Sequence, residues 1–212
     1  MDETSGNRSD SAGSNTLADN NTVGYVSGKN GNAANIIAAN TEYLSITDGS
    51  QSGLDLSGSF TISAWIYISS YGGTWNCIAS KYVSPSGGAS YQFLVNNSGN
   101  LHIGISDDGT SFESFAGSNN ITLNQWNHVV CRFTAGSEFA LWINGSKETT
   151  GATKNSVYNS TADFIVGRRH YATSPYQYNG YIDEIALWNT NISDNAVTAL
   201  YKGGTGRFYI TS

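Results

Sequence analysis

Two adjacent carboxylates, Asp183 and Glu184, interrupt an apolar run near the C-terminal end of the chain. Residues 180–188 alternate with the period of two that is typical of a β-strand, and both faces of that strand carry apolar side chains. Such a strand is usually central in a sheet, where a carboxylate needs a partner. We therefore expect a cation beside Asp183. The alternative is a carboxylate that accepts hydrogen bonds from backbone N–H groups.

Two further segments combine aromatic rings with planar hydrogen-bonding groups. Their candidate ligand-binding residues are Tyr71 and Trp75 in the first segment and Arg169, Tyr171, Tyr176 and Tyr178 in the second. Sugar C–H faces stack on aromatic rings, and sugar hydroxyls form hydrogen bonds with Asn, Gln and Arg side chains. Both segments therefore predict carbohydrate binding. The alternative is that their rings cover the ends of a β-sandwich or form a contact between subunits.

The sequence does not offer a catalytic pair of acids. A glycosidase needs two carboxylates about 5–10 Å apart beside an open cleft. Neighbouring residues on a strand point to opposite faces, so Asp183 and Glu184 are not expected to form such a pair. No spacing of the three histidines indicates a Ser-His-Asp site or a metal site. We therefore expect no enzymatic activity.

Short strands dominate the elements that would position these residues. The segments Phe60–Ile68 and Trp126–Phe133 are strongly β-forming, and Asn144-Gly145 is a typical hairpin turn. Only Ser193–Tyr201 has a helical pattern, with Ser193 as its N-cap. About a dozen strands with one short helix predict an all-β fold, an antiparallel two-sheet jelly-roll sandwich. We expect one domain over residues 1–212, with an irregular N-terminal loop at 1–35 and a core sandwich at 40–203.

Composition limits the partners. A net charge of −6 disfavours nucleic acid and anionic membranes as partners. No run of 18 apolar residues exists, so we expect no membrane insertion. The acidic start at Met1–Thr4 has no apolar segment typical of a secretory signal. Cys77 and Cys131 lie in strand-forming segments, where two reduced core cysteines and a disulfide are alternatives.

Six short segments follow one another in a characteristic order, and they are Leu56–Ile66, Ile78–Lys81, Trp126–Val130, Leu141–Gly145, Ile165–Gly167 and Gly180–Ile185. Together with a closing helix through Ala199–Tyr201, they resemble the motifs of the laminin-G-like, concanavalin A-like jelly-roll superfamily over about residues 40–203. The resemblance implies a jelly-roll fold. It leaves the function open, because this fold is found in lectins, adhesion modules, glycan-binding appendages and some glycosidases.

The resemblance also implies a structural calcium ion, held where the N-terminal loop meets the last strand. Asp183 matches the late aspartate of the family, and Asp10, Asn15 and the carbonyls near Gly13 lie in the matching early loop. Ca²⁺ takes six to eight oxygen ligands at roughly 2.3–2.6 Å, so a few side chains with carbonyls and water would be sufficient.

These observations predict a non-catalytic recognition module that is stabilised by calcium and binds carbohydrate, such as a cell-surface glycan, or acts in adhesion. We expect it to be extracellular, secreted or on a virion surface. The first alternative is a structural assembly or decoration protein that contacts protein neighbours. The second is a glycoside hydrolase or polysaccharide lyase, for which the required acids are not evident.

Overall fold

A computed structural model describes residues 1–83, 88–170 and 176–206. Within these ranges the chain forms two antiparallel seven-stranded sheets. In spatial order, the strands of sheet I are β1 (Ala18–Asn20), β4 (Tyr43–Ile46), β13 (Phe164–Val166), β6 (Trp75–Tyr82), β7 (Ala89–Asn96), β8 (Asn100–Ser106) and β9 (Phe112–Asn120). Those of sheet II are β12 (Ser146–Gly151), β11 (Glu138–Ile143), β10 (Trp126–Thr134), β5 (Phe60–Ile68), β14 (Gly180–Trp188), β3 (Asn32–Ile36) and β2 (Gly24–Ser27).

The core lies between the two sheets. Alternate residues of β5 face it and are fully buried, namely Phe60, Ile62, Ala64, Ile66 and Ile68. The Phe60 ring lies 5.5 Å from the ring of Tyr91 on sheet I, so aromatic packing joins the sheets. Burying a side chain of this size contributes about 1.5–3 kcal/mol. The predicted all-β, two-sheet jelly-roll sandwich with one short C-terminal helix is confirmed.

Strand β14 changes which side chains face the core halfway along its length. Its pairing with β5 shifts by one residue between Asp183 and Ala186, which is a β-bulge. Glu184 lies in this bulge with a left-handed φ of 49°. Ile182 faces the core before the bulge, whereas Leu187 packs against the core after it. The bulge therefore explains why the sequence of β14 shows apolar residues on both faces.

The N-terminal segment is more regular than predicted. Strands β1, β2 and most of β3 form within residues 1–35 and extend both sheets. Arg8 is 1% exposed and pairs through its backbone with Leu17. Its Nη2 donates to the carbonyl oxygens of Val23 at 2.9 Å and Gly24 at 3.0 Å. This buried guanidinium therefore fixes the N-terminal segment against the start of β2.

A buried lysine joins three parts of the chain at the edge of the core. Lys81 on β6 has no exposed side-chain surface, and its Nζ lies 2.5 Å from Asp48 and 3.1 Å from Asp55. The same ammonium donates to the carbonyl oxygens of Ser160 at 2.8 Å and Ala162 at 2.6 Å. A buried charge needs such partners, because an unpaired one is strongly destabilising.

The helix α1 (Asp194–Tyr201) covers part of the outer face of sheet II. The Ser193 side chain caps it by accepting a hydrogen bond from the Ala196 N–H, as predicted for this N-cap. Val197 packs against outward residues of β10 and β11, among them Val130 and Trp142. This packing covers apolar surface of sheet II, and sheet I has no helix on its outer face within the described residues.

Cys77 and Cys131 are both buried and both free. Burial raises the pKa of Cys77 to about 12, so its thiol is protonated at neutral pH. Both cysteines are therefore reduced in this structure, which is one of the two alternatives given by the sequence analysis.

Candidate functional site

The outer face of sheet I carries Arg169, Tyr176 and Trp75, three of the residues that the sequence analysis predicts to bind a ligand. The chain leaves β13 at Gly167 and returns at Tyr178, whose N–H donates to the Gly167 carbonyl at 2.9 Å. This contact closes the segment between them at its base. Ser80 of β6 donates to the Arg168 carbonyl at 3.3 Å, which holds the first part of the segment against the sheet.

Arg169 is fixed between two aromatic rings on this face. Its guanidinium carbon lies 4.1 Å from the ring centroid of Tyr82 and 3.5 Å from that of Tyr176. Its Nη1 donates to Oε1 of Gln92 at 2.9 Å, and Gln92 is only 6% exposed. Cation–π contacts of this kind contribute about 0.5–2 kcal/mol each, with the larger values for desolvated pairs. We call Tyr82, Gln92, Arg169 and Tyr176 the Arg169 cluster.

Strand register places the members of the Arg169 cluster side by side. Gln92 of β7 pairs with Ser80 of β6 and Gly104 of β8, so its side chain lies on the outer face. A Cβ on Gly104 would lie 3.0 Å from the Gln92 side chain, so glycine leaves the room that this side chain uses. Tyr82 lies two residues after Ser80 on β6, so the alternation of the strand puts it on the same face.

Trp75 belongs to a separate cluster on this face. Trp75 and Tyr82 lie at opposite ends of β6, roughly 20 Å apart at about 3.3 Å per residue. The Trp75 ring lies 4.9 Å from the ring of His102. Burial lowers the pKa of His102 to about 4, so this imidazole is neutral at pH 7. The structure therefore does not bring Trp75 together with Arg169.

Other predicted ligand-binding residues have different positions. Tyr178 is fully buried, and its hydroxyl donates to the Tyr181 carbonyl at 3.1 Å. The prediction that Tyr178 binds a ligand is therefore wrong, because its ring has no exposed surface. Tyr71 is half-buried and packs against the core, and burial raises its pKa. Tyr171 lies outside the described residues.

Two members of the Arg169 cluster were missed by the sequence analysis. Tyr82 and Gln92 come from neighbouring strands, and Arg169 lies 77 positions after Gln92 in the chain. The alternation of β7, with Phe93 and Val95 in the core, predicts that Gln92 faces outward. No local pattern shows which distant residue it meets, so only the sheet order could have identified the cluster.

The Asp183 carboxylate accepts hydrogen bonds from backbone N–H groups, which is the alternative to a cation given in the sequence analysis. Its Oδ2 accepts hydrogen bonds from the N–H groups of Lys29 at 2.7 Å and Asn30 at 3.2 Å, and its Oδ1 accepts one from Glu184 at 2.8 Å. A Cβ on Gly28 would lie 2.4 Å from Oδ2, so the loop backbone closes directly over the carboxylate. Burial raises the pKa of Asp183, and these N–H groups oppose that shift.

The early loop likewise directs N–H groups at its aspartate. Asp10 accepts hydrogen bonds from the N–H groups of Ala12 and Gly13 at 2.9 Å each and of Asn15 at 3.1 Å. The Asn15 side chain is bonded to the backbone of Ser52 at both of its polar atoms. Amide hydrogens at these oxygens would repel a cation. The donor set therefore does not fit a calcium ion shared by the two loops.

In the part of the chain that the structure describes, no group of three or more His, Cys, Asp and Glu side chains could hold an ion. The calcium ion expected from the family resemblance stays a prediction.

A cavity of about 60 Å³ on the outer face of sheet II contains the other polar cluster. Its lining residues are Ser63, Trp65, His128, Glu184, Ala186, Trp188 and Leu200. The Ser63 Oγ lies 2.9 Å from Nε2 of His128, and burial lowers the pKa of His128 to about 4.

The sequence analysis expects Asp183 and Glu184 to point to opposite faces of their strand. This prediction is wrong, because the bulge places both side chains on the same side of sheet II. Asp183 is 1% exposed and closed over by backbone, so a single carboxylate lines this cavity, whereas a glycosidase uses two.

Comparison with known proteins identifies a family and several structures of similar fold. A family model described as the concanavalin A-like lectin/glucanases superfamily matches residues 38–198. The binding domain of Paraclostridial Mosquitocidal Protein 1 is 14% identical, with 93% of this chain and 51% of that chain covered at a TM-score of 0.69. The binding domain of botulinum neurotoxin serotype G is 12% identical, with 91% and 47% covered at a TM-score of 0.70. The chain thus spans about half the length of these two structures.

A third solved structure is closer to this chain in size. Domain 4 of AbnA, a GH43 extracellular arabinanase from Geobacillus stearothermophilus, in complex with arabinotriose, is 19% identical. The match covers 84% of this chain and 81% of that chain at a TM-score of 0.64. At these identities the likeness shows a common fold. No curated protein sequence matches the chain. Among the described residues, no helix has the length and apolar character needed to cross a bilayer.

Proposed function

Because the chain belongs to the concanavalin A-like lectin/glucanases superfamily, we propose that it is a non-catalytic binding module that recognises carbohydrate on the outer face of sheet I. The observation that carries this proposal is the Arg169 cluster. It combines two aromatic rings with a guanidinium and a side-chain amide in one place. The half-buried Tyr176 supplies a stacking ring for a sugar C–H face and Arg169 supplies donors for hydroxyls, whereas Tyr82 and Gln92 are each 6% exposed and hold these two side chains in place.

The cluster is also held in place before a ligand arrives. Gln92 is almost fully buried, Tyr82 packs on Phe112 with ring centroids 5.8 Å apart, and Arg169 lies between the two rings of the cluster. A preorganised site loses little side-chain freedom on binding, which favours affinity. The structural neighbours support the same class of function, since they include binding domains and a domain crystallised with arabinotriose.

The absence of enzymatic activity is part of the proposal. The cavity on sheet II has one carboxylate along its lining, and the acid beside it in the sequence is covered by the backbone of residues 28–30. An extracellular, secreted or virion-surface location remains a prediction from the sequence. Stabilisation by calcium also remains a prediction, and the donor geometry gives it no support.

A glycan array followed by calorimetry on the retained sugars tests carbohydrate binding. Arabino-oligosaccharides are included as the first neutral probes. Tyr176→Ala removes one of the two rings that pack on Arg169, and we expect it to weaken binding by about two- to twelvefold, since stacking contacts contribute roughly 0.5–1.5 kcal/mol. Tyr25→Ala is the matched control, because Tyr25 is 50% exposed and lies on β2 of the other sheet.

Two results would contradict the proposal. One is an array that retains no saccharide, and the other is equal affinity for the Tyr176→Ala and Tyr25→Ala proteins. Native mass spectrometry on the same sample identifies the alternative of an assembly protein, which would form a symmetric oligomer without affinity for any glycan.

A further inference from the structure

Arg168 and Arg169 belong to the cations of the chain whose described partners are uncharged. The cations that form an ion pair with an aspartate or glutamate are Lys81, Arg132, Lys147 and Lys154. Within the described ranges, neither Arg168 nor Arg169 has a carboxylate at ion-pair distance. Arg168 lies over the Tyr43 ring at 4.8 Å, and Arg169 contacts two rings and an amide. Two adjacent positive charges on this face therefore have uncharged partners.

The contacts of Arg169 leave one direction open for a ligand. The rings of Tyr82 and Tyr176 both pack against the guanidinium, and its N–H groups can donate hydrogen bonds only in its own plane. Gln92 accepts one N–H bond from Nη1, and Nε is buried, so the end of the group that carries Nη1 and Nη2 is the part left for a ligand. The water that these two rings displace from the guanidinium strengthens electrostatic attraction at its remaining edge. An anion that approaches in this plane would therefore be bound strongly.

We propose that the Arg169 cluster binds the carboxylate of an acidic saccharide, such as a sialic acid or a uronic acid, while Tyr176 packs against the sugar ring. This inference rests on carbohydrate binding at the same face and adds the class of sugar. A carboxylate matches the guanidinium because two parallel N–H···O bonds form in one plane. Gln92, which is 6% exposed and bonded to Nη1, fixes the orientation of that plane.

The electrostatic environment supports an anionic ligand here in spite of the overall charge. The chain carries a net charge of −6, which opposes anion binding at long range. At physiological salt, charges more than about 8 Å apart are largely screened, so the local pair of arginines dominates. Arg169 also acts on its surroundings, because its charge lowers the pKa of buried Cys77 against the larger effect of burial.

The experiment compares each acidic sugar with its own methyl ester. Sialyllactose and tri-galacturonate are the probes, and their methyl esters keep the sugar but remove the charge. Calorimetry on the wild-type protein is expected to give affinity about 10- to 100-fold higher for one or both acids than for the ester, the range for a bidentate charge-assisted pair. Arg169→Gln should reduce this ratio to about one. Lys202→Gln, which removes a positive charge at an exposed position after α1, should leave the ratio unchanged.

The outcomes separate this inference from the proposed function. If acid and ester bind equally and Tyr176→Ala weakens both, the face binds sugars and the preference for a carboxylate is overturned. If Arg169→Gln leaves the acid-to-ester ratio intact, the carboxylate lies elsewhere and the inference is also overturned. If no saccharide on the array binds, the proposed function is overturned together with the inference. Circular dichroism of Arg169→Gln and its binding of neutral glycans verify that the variant is folded.

Discussion

Replacing Lys81 by methionine is expected to destabilise the fold strongly, because one ammonium satisfies four oxygens. Its Nζ contacts Asp48 and Asp55 and donates to the carbonyls of Ser160 and Ala162. Methionine fills a similar volume with an apolar side chain, so the cavity left behind is small. The loss is therefore mainly electrostatic.

The magnitude follows from what the substitution leaves behind. The Asp48 and Asp55 side chains are 29% and 34% exposed, so both carboxylates recover part of their hydration. The carbonyls of Ser160 and Ala162 lie in buried residues and lose a donor, and each unsatisfied group of this kind costs about 1–3 kcal/mol. Removing one partner of a buried ion pair costs about 3–5 kcal/mol. We expect about 3 kcal/mol for Lys81→Met after allowing for the partly exposed carboxylates and for the apolar contacts of the new side chain.

Urea unfolding followed by tryptophan fluorescence measures this loss. With a slope near 3 kcal/mol per molar, the midpoint should fall by about 1 M at an unchanged slope. Lys154→Met is the control, because the ion pair of Lys154 with Asp107 is partly exposed, and such pairs contribute about 0–1 kcal/mol. Equal midpoints for the two variants would refute the argument that burial determines the cost.

The remaining predictions concern pH, the N-terminal segment and calcium. Burial lowers the pKa of His128 from 6.5 to about 4, so the unfolded chain binds this proton first. His128 should therefore contribute a loss of about 2 kcal/mol in stability as the pH drops from 7 to 4.5, in addition to the loss from His102, whose pKa is also lowered to about 4. Urea midpoints at the two pH values measure this change. In His128→Gln the loss of stability should be smaller by the His128 contribution, and an unchanged loss would contradict the assignment of that contribution to His128. Arg8→Met should speed hydrogen exchange of the Leu17 amide, because Arg8 pairs with Leu17 and its guanidinium bonds to two carbonyls that hold this pair in place. Exchange at the wild-type rate would show that other contacts hold the N-terminal segment. Calcium should leave the melting temperature at its value in EDTA, since N–H groups face Asp183 and Asp10. A rise with calcium would instead favour the prediction made from the family resemblance.

Much of the fold could be predicted because its signals are local. The alternation of Phe60–Ile68, the Asn144-Gly145 turn and the Ser193 cap each depend on residues within one element. Their order along the chain was sufficient to indicate the jelly roll. The N-terminal strands were not predicted, because β1 and β2 are only three and four residues long and form by pairing with distant strands.

The candidate site could be predicted only in part, for a related reason. The second aromatic segment indicated Arg169 and Tyr176, whose residue types are informative by themselves. Tyr82 and Gln92 belong to ordinary strand patterns, and their meeting with Arg169 depends on the order of strands in sheet I. Tyr178 was predicted to bind a ligand and is instead fully buried. The composition of an aromatic segment does not show which of its rings face the core.

The bulge at Glu184 restricts how the length of this chain can vary. Deleting the extra residue of the bulge would leave the later partners of β14 on β5 unchanged, but deleting Ala186 would shift the residues after it by one position, and their side chains would exchange inside for outside. Trp188 would then be directed into the sandwich and Leu187 towards solvent. Hairpin loops can gain or lose residues at little cost. Related chains are therefore expected to differ in loop length freely while keeping the same number of residues in β14 after the bulge.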